Sequence, residues 1–207
     1  MIEKYIQDAL IIWTTIDPFG TLAIFTALTA NLAEDNRRTV ALKTVLYAGA
    51  VLIGAIVIGQ LLLAAMGIRF ISFQLGGGII LFLFGLQMIF GTPFSGTKQE
   101  PGHDIAVFPL AIPVTATPGA ILAVMLLTDN HIHPIPVQVG TLLITVGILL
   151  ITYLFLLFSN QIIKVIGLNG ASIMTRVMGM ILAAFSVELV MNALGVEQWG
   201  QSSLRSR

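Results

Sequence analysis

Apolar residues fill six long stretches of this chain, and polar residues gather between them. The stretches run over about 5–30, 40–65, 69–90, 105–128, 137–159 and 172–194, each near the roughly 20 residues a helix needs to cross a bilayer. The connectors carry the polarity: Asn31 to Arg38, Gly91 to Asp104, Asp129 to Pro136, and Asn160 to Ala171. The pattern predicts an all-α integral membrane protein with six transmembrane helices.

Two of the stretches are interrupted where interruption is costly. The first holds Asp17-Pro18-Phe19-Gly20-Thr21 in its middle, and the fourth holds Pro109, Pro113 and Thr115-Ala116-Thr117-Pro118-Gly119-Ala120. Proline lacks the N–H a helix needs, glycine tolerates helix-ending dihedrals, and lipid offers no water to replace a freed hydrogen bond. The first and fourth helices are therefore predicted to be broken. Half-helix ends inside a membrane present a positive N-terminus to anions and bare carbonyls to cations, so a bound solute is one candidate partner.

The breaks also fall at one common spacing. Pro18 and Pro118 are 100 positions apart, as are Gly67 and Gly167 at the ends of the second and fifth stretches. Gly77-Gly78-Ile79-Ile80-Leu81 faces Met178-Gly179-Met180-Ile181-Leu182 at an offset of 101. This spacing predicts two three-helix repeats, 1–100 and 101–196, followed by a tail over 197–207. Three spans are an odd number, so the second repeat enters from the opposite side and the pair is inverted about an axis in the membrane plane.

Composition narrows the class further. Hydrophobic residues make up 57% of the chain and charged ones 10%, with a mean hydropathy of +0.96, where a soluble domain carries about 25% charged residues. Ten basic residues balance ten acidic ones, giving no surplus that would point to nucleic acid. The absence of cysteine excludes disulfides, thiolate metal sites and a cysteine nucleophile. No basic segment precedes the first stretch, which is read as an uncleaved span. The tail Gln201–Arg207 has the look of a tag remnant and is left out of the functional argument.

Basic residues set the expected orientation. Arg37, Arg38, Lys43, Lys98, Lys164 and Arg176 fall on the side of the first, third and fifth connectors, against Lys4 and Arg69 on the other, joined by Arg205 and Arg207 if the tail is native. Positive charge marks the cytoplasmic side, so both termini are expected outside the cytoplasm.

Asp17 is the sharpest candidate for chemistry. A carboxylate inside a span costs about 2.5–3.5 kcal/mol even on the gentlest scale, so it should face a cavity or a partner. It can pair with a substrate ammonium, ligate Na⁺ or take up a proton; equally, aspartate before an N1 proline is a favoured helix cap, and a cap at a break still lines the site. Thr14, Thr15, Thr21, Thr115 and Thr117 surround the breaks, near the N–H groups of Gly20, Thr21, Gly119 and Ala120. Their hydroxyls either meet a solute or bond back to their own helix, the latter being favoured for Thr14 and the former for Thr117. The candidate substrate-binding set is Asp17, Pro18, Phe19, Gly20, Thr21, Thr115, Thr117, Pro118, Gly119 and Ala120. Glu188 joins Asp17 as a candidate for ion coupling, the alternative being a side chain that reaches the outer interface.

Bland roles are expected elsewhere. Gln60, Gln74 and Gln87 suit interhelical hydrogen bonds, and Gly49, Gly54, Gly59, Gly76, Gly77, Gly78 and Gly85 suit close helix approach, Gly76 to Gly78 with a hinge as a second reading. His131, His133 and Asp129 make a poor metal set, and His103 suggests nothing, so no metal and no resident cofactor are expected.

The chain resembles the MarC/SnatA family of six-span membrane proteins. The resemblance rests on Asp17-Pro18-Phe19-Gly20, Gly76-Gly77-Gly78-Ile79-Ile80-Leu81-Phe82, Phe108-Pro109-Leu110-Ala111-Ile112-Pro113 with Thr117-Pro118-Gly119-Ala120, and Arg176-Val177-Met178-Gly179. It implies transport of small neutral amino acids such as glycine, alanine, serine and threonine, and kinship with the LysE exporters. Two departures stand out: Thr21-Leu22-Ala23-Ile24 lacks the family's proline after the first break, and Glu188 stands where glutamine is common.

The expectation is a secondary transporter in a prokaryotic inner or plasma membrane, working by alternating access and coupled to Na⁺ or H⁺. Its partners would be a small neutral amino acid and the lipid bilayer, with no nucleic acid and an oligomeric state left open. A channel, or an exporter of another small solute, is the alternative. An enzyme is disfavoured by the missing cysteine and by the lack of acids paired closely in sequence within the spans.

Overall fold

The computed structural model describes residues 2–91, 104–130 and 132–196, apart from the side chain of Gln60, and all regular structure among them is helical. Helices α1 (Ile2–Ile16) and α2 (Pro18–Leu28) make up the broken first span. They are followed by α3 (Glu34–Ala65) and α4 (Phe70–Phe90). An irregular segment, Ala106–Thr115, leads into α5 (Pro118–Leu127), then α6 (Ile135–Leu157) and α7 (Ser159–Leu194). Taking α1 with α2, five helices are long and apolar enough to cross a membrane, and a sixth crossing results if Ala106–Thr115 and α5, bent by 55°, count as one.

Three expectations need correction. Helix α3 starts at Glu34, ahead of the apolar stretch, because Glu34 and Asp35 place negative charge on the first turn and Arg38 reaches back to Glu34 at 3.3 Å. The connector Asn160 to Ala171 is helical on both sides of Gly167, whose φ of 68° and ψ of 166° supply the only non-helical step. Its Ile162, Ile163, Val165 and Ile166 carry enough apolar surface to continue a helix. The first half of the fourth span is not a regular half-helix, since Phe108 and Ile112, each preceding a proline, sit at extended dihedrals near −131° and 124°.

Hydrogen bonds fix which connectors share an end. Arg37 donates to Asn160 Oδ1 at 2.8 Å and Ser159 Oγ at 3.0 Å, and Lys43 pairs with Asp104 at 2.8 Å, so the first, third and fifth connectors meet. The Lys43 ammonium also holds the Asp104 carboxylate below its ordinary range. At the opposite end Lys4 donates to Leu127 O at 3.4 Å, bringing the N-terminus to the fourth connector. Lys98 and the tail arginines of the charge asymmetry lie outside the described residues.

Helix caps recur at or near the spacing of the prolines. Asp17 and Thr117, 100 positions apart, each cap a half-helix that begins with proline, and Thr29 and Thr128, 99 apart, each close one. Gly67, just after α3, and Gly167, at the kink inside α7, both take positive φ, of 66° and 68°.

The central core is Ile12, Ile16, Leu52, Ala116, Ala120, Val124 and Leu149, which packs α1 and α5 between α3 and α6. Helix α4 lies along α7, joined by Leu81, Met88 and Leu182, with Leu126 of α5 packed against them. A Cβ on Gly85 would stand 2.9 Å from Gly179 O, and one on Gly179 would stand 2.7 Å from Met88 Cβ, so the two backbones touch there. Gly78 likewise approaches Ser186 O. Gly54 and Gly76 have open space around them, and the close approach expected at those two positions is absent. Outward-facing Leu61, Leu83, Leu143 and Met180 form the apolar exterior that a bilayer covers.

Candidate functional site

Asp17 stands between α1 and α2 with φ 46° and ψ 74°, the only non-glycine residue at positive φ among those described. Aspartate tolerates this region better than most residues. The Asp17 carboxylate accepts the Gly20 N–H at 3.1 Å, the N-cap bond expected before an N1 proline. The Phe19 N–H also faces it, and the buried Thr175 hydroxyl from α7 lies beside it, outside hydrogen-bond geometry. A Cβ on Gly20 would collide with the Asp17 carboxylate, so glycine is what lets this carboxylate fold over the helix end. Because residue 18 is proline, the Thr14 carbonyl receives no amide donor from the following turn.

The second break mirrors the first. Thr117 Oγ1 accepts the Ala120 N–H at 2.8 Å and donates to Thr15 O at 2.9 Å, so the two breaks touch through one hydroxyl. The other candidate hydroxyls bond within their own segments: Thr14 to Leu10 O at 2.7 Å, Thr15 to Ile11 O at 2.9 Å, Thr21 to Ile16 O at 3.3 Å and Thr115 to Leu110 O at 2.8 Å. Phe19 packs edge-on with Trp13 and Phe155 at centroid distances of 6.2 and 5.3 Å. Gly119 seats α5 against Phe84 of α4. Pro18 and Ala120 are buried beside these groups, whereas Pro118 is exposed.

Glu188 sits elsewhere. It is exposed on α7, where Asn192 Nδ2 donates to it at 3.4 Å, while the face of α7 turned inward carries Leu182 and Ser186. Gln74 does bridge helices, donating to Leu189 O at 3.2 Å, and Gln87 is exposed. His103 and His131 lie outside the described residues, and among those described no group of three potential metal ligands forms.

Sequence reasoning overlooked a second polar cluster. Asp8, 1% exposed, takes the Lys4 ammonium at 2.6 Å and the Thr141 hydroxyl at 2.6 Å. Its signal was the i, i+4 spacing of Lys4 and Asp8 two turns into an apolar stretch, which reads as an interfacial flank until α6 is seen to cover it.

Substituting valine for Thr117 tests the contact between the breaks. Valine keeps the shape and removes both hydrogen bonds. The cap is worth about 1 kcal/mol and a stranded buried carbonyl costs about 1–3 kcal/mol, so a loss of about 2–3 kcal/mol is expected in reversible detergent unfolding. A loss below about 0.5 kcal/mol would show that the hydroxyl contributes nothing.

A family model described as "MarC family integral membrane protein" matches residues 2–197. The chain belongs to the MarC family. It is 34% identical over 191 residues to the UPF0056 membrane protein MJ1677 of Methanocaldococcus jannaschii, covering 88% of this chain and 92% of that one. It is 30% identical over 201 residues to the UPF0056 inner membrane protein YhgN of Escherichia coli K12, covering 95% and 98%. A UPF0056 membrane protein of Buchnera aphidicola subsp. Schizaphis graminum is 30% identical over 197 residues. No solved structure matches. As a MarC protein the chain is an integral, multi-pass membrane protein, and the names of these relatives indicate no enzymatic activity.

Proposed function

We propose that this MarC protein is a secondary transporter of a small neutral amino acid, built from two inverted three-helix repeats in a prokaryotic inner membrane. The observation that carries the reading is the meeting of two proline-broken spans at buried polar groups, Asp17 on one side and Thr117 on the other. Discontinuous helices paired in this way place substrate and coupling ion near the bilayer midplane. The recurrence of N-caps and positive-φ glycines at one spacing, with the halves starting from opposite ends, supports the inverted repeat.

Within this reading Asp17 is the coupling group. Its carboxylate, the Thr175 hydroxyl and the Thr14 carbonyl are oxygens suited to Na⁺, and the carboxylate alone suffices for H⁺. Small residues at both breaks admit only a small solute. A carrier is favoured over a channel because Thr15, Thr115, Thr117 and Ala120 are 4% exposed or less, which suits an occluded state and not a continuous path. The basic residues of the first, third and fifth connectors support a cytoplasmic location for that end, with both termini outside.

The test is counterflow of labelled glycine and alanine into proteoliposomes, with and without Na⁺ or H⁺ gradients, for wild type and Asp17→Asn. Asparagine retains an acceptor for the Gly20 N–H and tolerates left-handed dihedrals, so the variant is expected to fold. Wild type should exchange label and respond to one gradient; Asp17→Asn should lose that response, with exchange down about tenfold or more. Absence of exchange of any small amino acid by wild type would defeat the substrate assignment.

A further inference from the structure

At the end of the molecule that holds the N-terminus lies a cavity of about 210 Å³. Lys4, Gln7, Asp8, Gln74 and His133 supply its polar wall, and Phe70 and Phe185 part of its apolar one. Water takes about 30 Å³ in the liquid, so the space holds several waters or one small solute. It is walled by both halves of the chain, yet none of the residues at the two breaks lines it.

The polar wall carries both signs of charge. The Lys4 ammonium has three N–H bonds; it gives one to Asp8 Oδ2 at 2.6 Å and one to Leu127 O at 3.4 Å, and retains a donor. Gln74 donates to Leu189 O, which leaves its amide oxygen to accept. Asp8 is held in place by its bonds to Lys4 and Thr141 and gives the wall an acidic centre. A simple anion would be repelled by Asp8 and a simple cation by Lys4, whereas a molecule bearing both charges satisfies both.

We infer that this cavity is a second binding site, an entry vestibule that takes a small zwitterion with its carboxylate on Lys4 and its ammonium toward Asp8 and the Gln74 amide oxygen. The inference builds on the transporter reading, since it supplies the substrate class with a first stop before the broken helices. His133 stands at the same wall. Burial, and after it the Lys4 charge, lowers its affinity for a proton, against the opposite pull of Asp8 and Asp129. It is therefore neutral at pH 7, does not compete with the solute ammonium, and reports on whatever fills the space.

The test uses the full protein in lipid nanodiscs with ¹⁵N-labelled histidine, the His133 signals being assigned from His133→Gln. Glycine is titrated in, with acetate and methylammonium as single-charge controls, and glycine counterflow is measured in parallel. Glycine should move the His133 signals saturably and the two controls should not. Lys4→Gln should raise the half-maximal glycine concentration about tenfold or more, the usual worth of a charged hydrogen bond. Ile132→Trp, at an exposed position on the cavity rim, should weaken the response without touching the buried charges. Counterflow with unmoved His133 signals would overturn the vestibule and leave the carrier standing. Saturable shifts without counterflow would keep the vestibule and defeat the carrier. A response to acetate equal to that to glycine, or one unaltered in both variants, would also overturn the inference.

Discussion

Asp17→Val is expected to destabilise the protein by about 3 kcal/mol or more. Two separate losses combine. Valine cannot accept the Gly20 N–H, which removes a cap worth about 1 kcal/mol and strands a partly buried donor. A β-branched residue at φ 46° is strained by a further 1–2 kcal/mol or so, a cost that aspartate and asparagine largely avoid. Unfolding in mixed micelles should therefore rank wild type and Asp17→Asn together and Asp17→Val far below. Equal stability of the asparagine and valine variants would mean that the left-handed cap is not what holds the break. The comparison also separates structure from coupling: asparagine tests the charge, valine the geometry.

Gly179→Leu is the second large effect expected. The added Cβ would lie 2.7 Å from Met88 Cβ and 2.8 Å from Gly85 O, and backbone atoms cannot swing aside as a side-chain tip can. Overpacking of this kind costs about 1–3 kcal/mol, and more where the contact is backbone to backbone. Helices α4 and α7 should be pushed apart, visible as loss of folded protein on size exclusion and a large drop in melting temperature. Gly76→Leu is the matched control, because nothing lies within 4 Å of the Cβ position and leucine is the better helix former. If both leucines are tolerated alike, α4 and α7 do not pack through these glycines.

These two sites also show what the sequence makes legible. Proline and glycine inside an apolar stretch have no inexpensive explanation in lipid, so the breaks at Asp17 and Thr117 stand out before any coordinates are seen. The same physics points to caps, because a helix that restarts at proline needs an acceptor for its first amides. Pairwise contacts are a different matter. Gly76 and Gly85 look alike in the string, yet only Gly85 meets another backbone, since the contact depends on which face α7 covers. Asp8 reads as a flank because its partners Lys4 and Thr141 come from opposite halves of the chain. The helical connector Asn160 to Ala171 misled for a further reason: a few polar residues suggest a loop, but within it only Gly167 leaves helical dihedrals.

The bond from Thr117 to the Thr15 carbonyl has a mechanical meaning. It acts as a latch between the two halves, and any motion that parts them at the breaks must open it. Opening in a dry interior costs about 1–3 kcal/mol, which would put the unlatched population between roughly one in five and one in a hundred and fifty. A latch of that strength favours a resting state without trapping it.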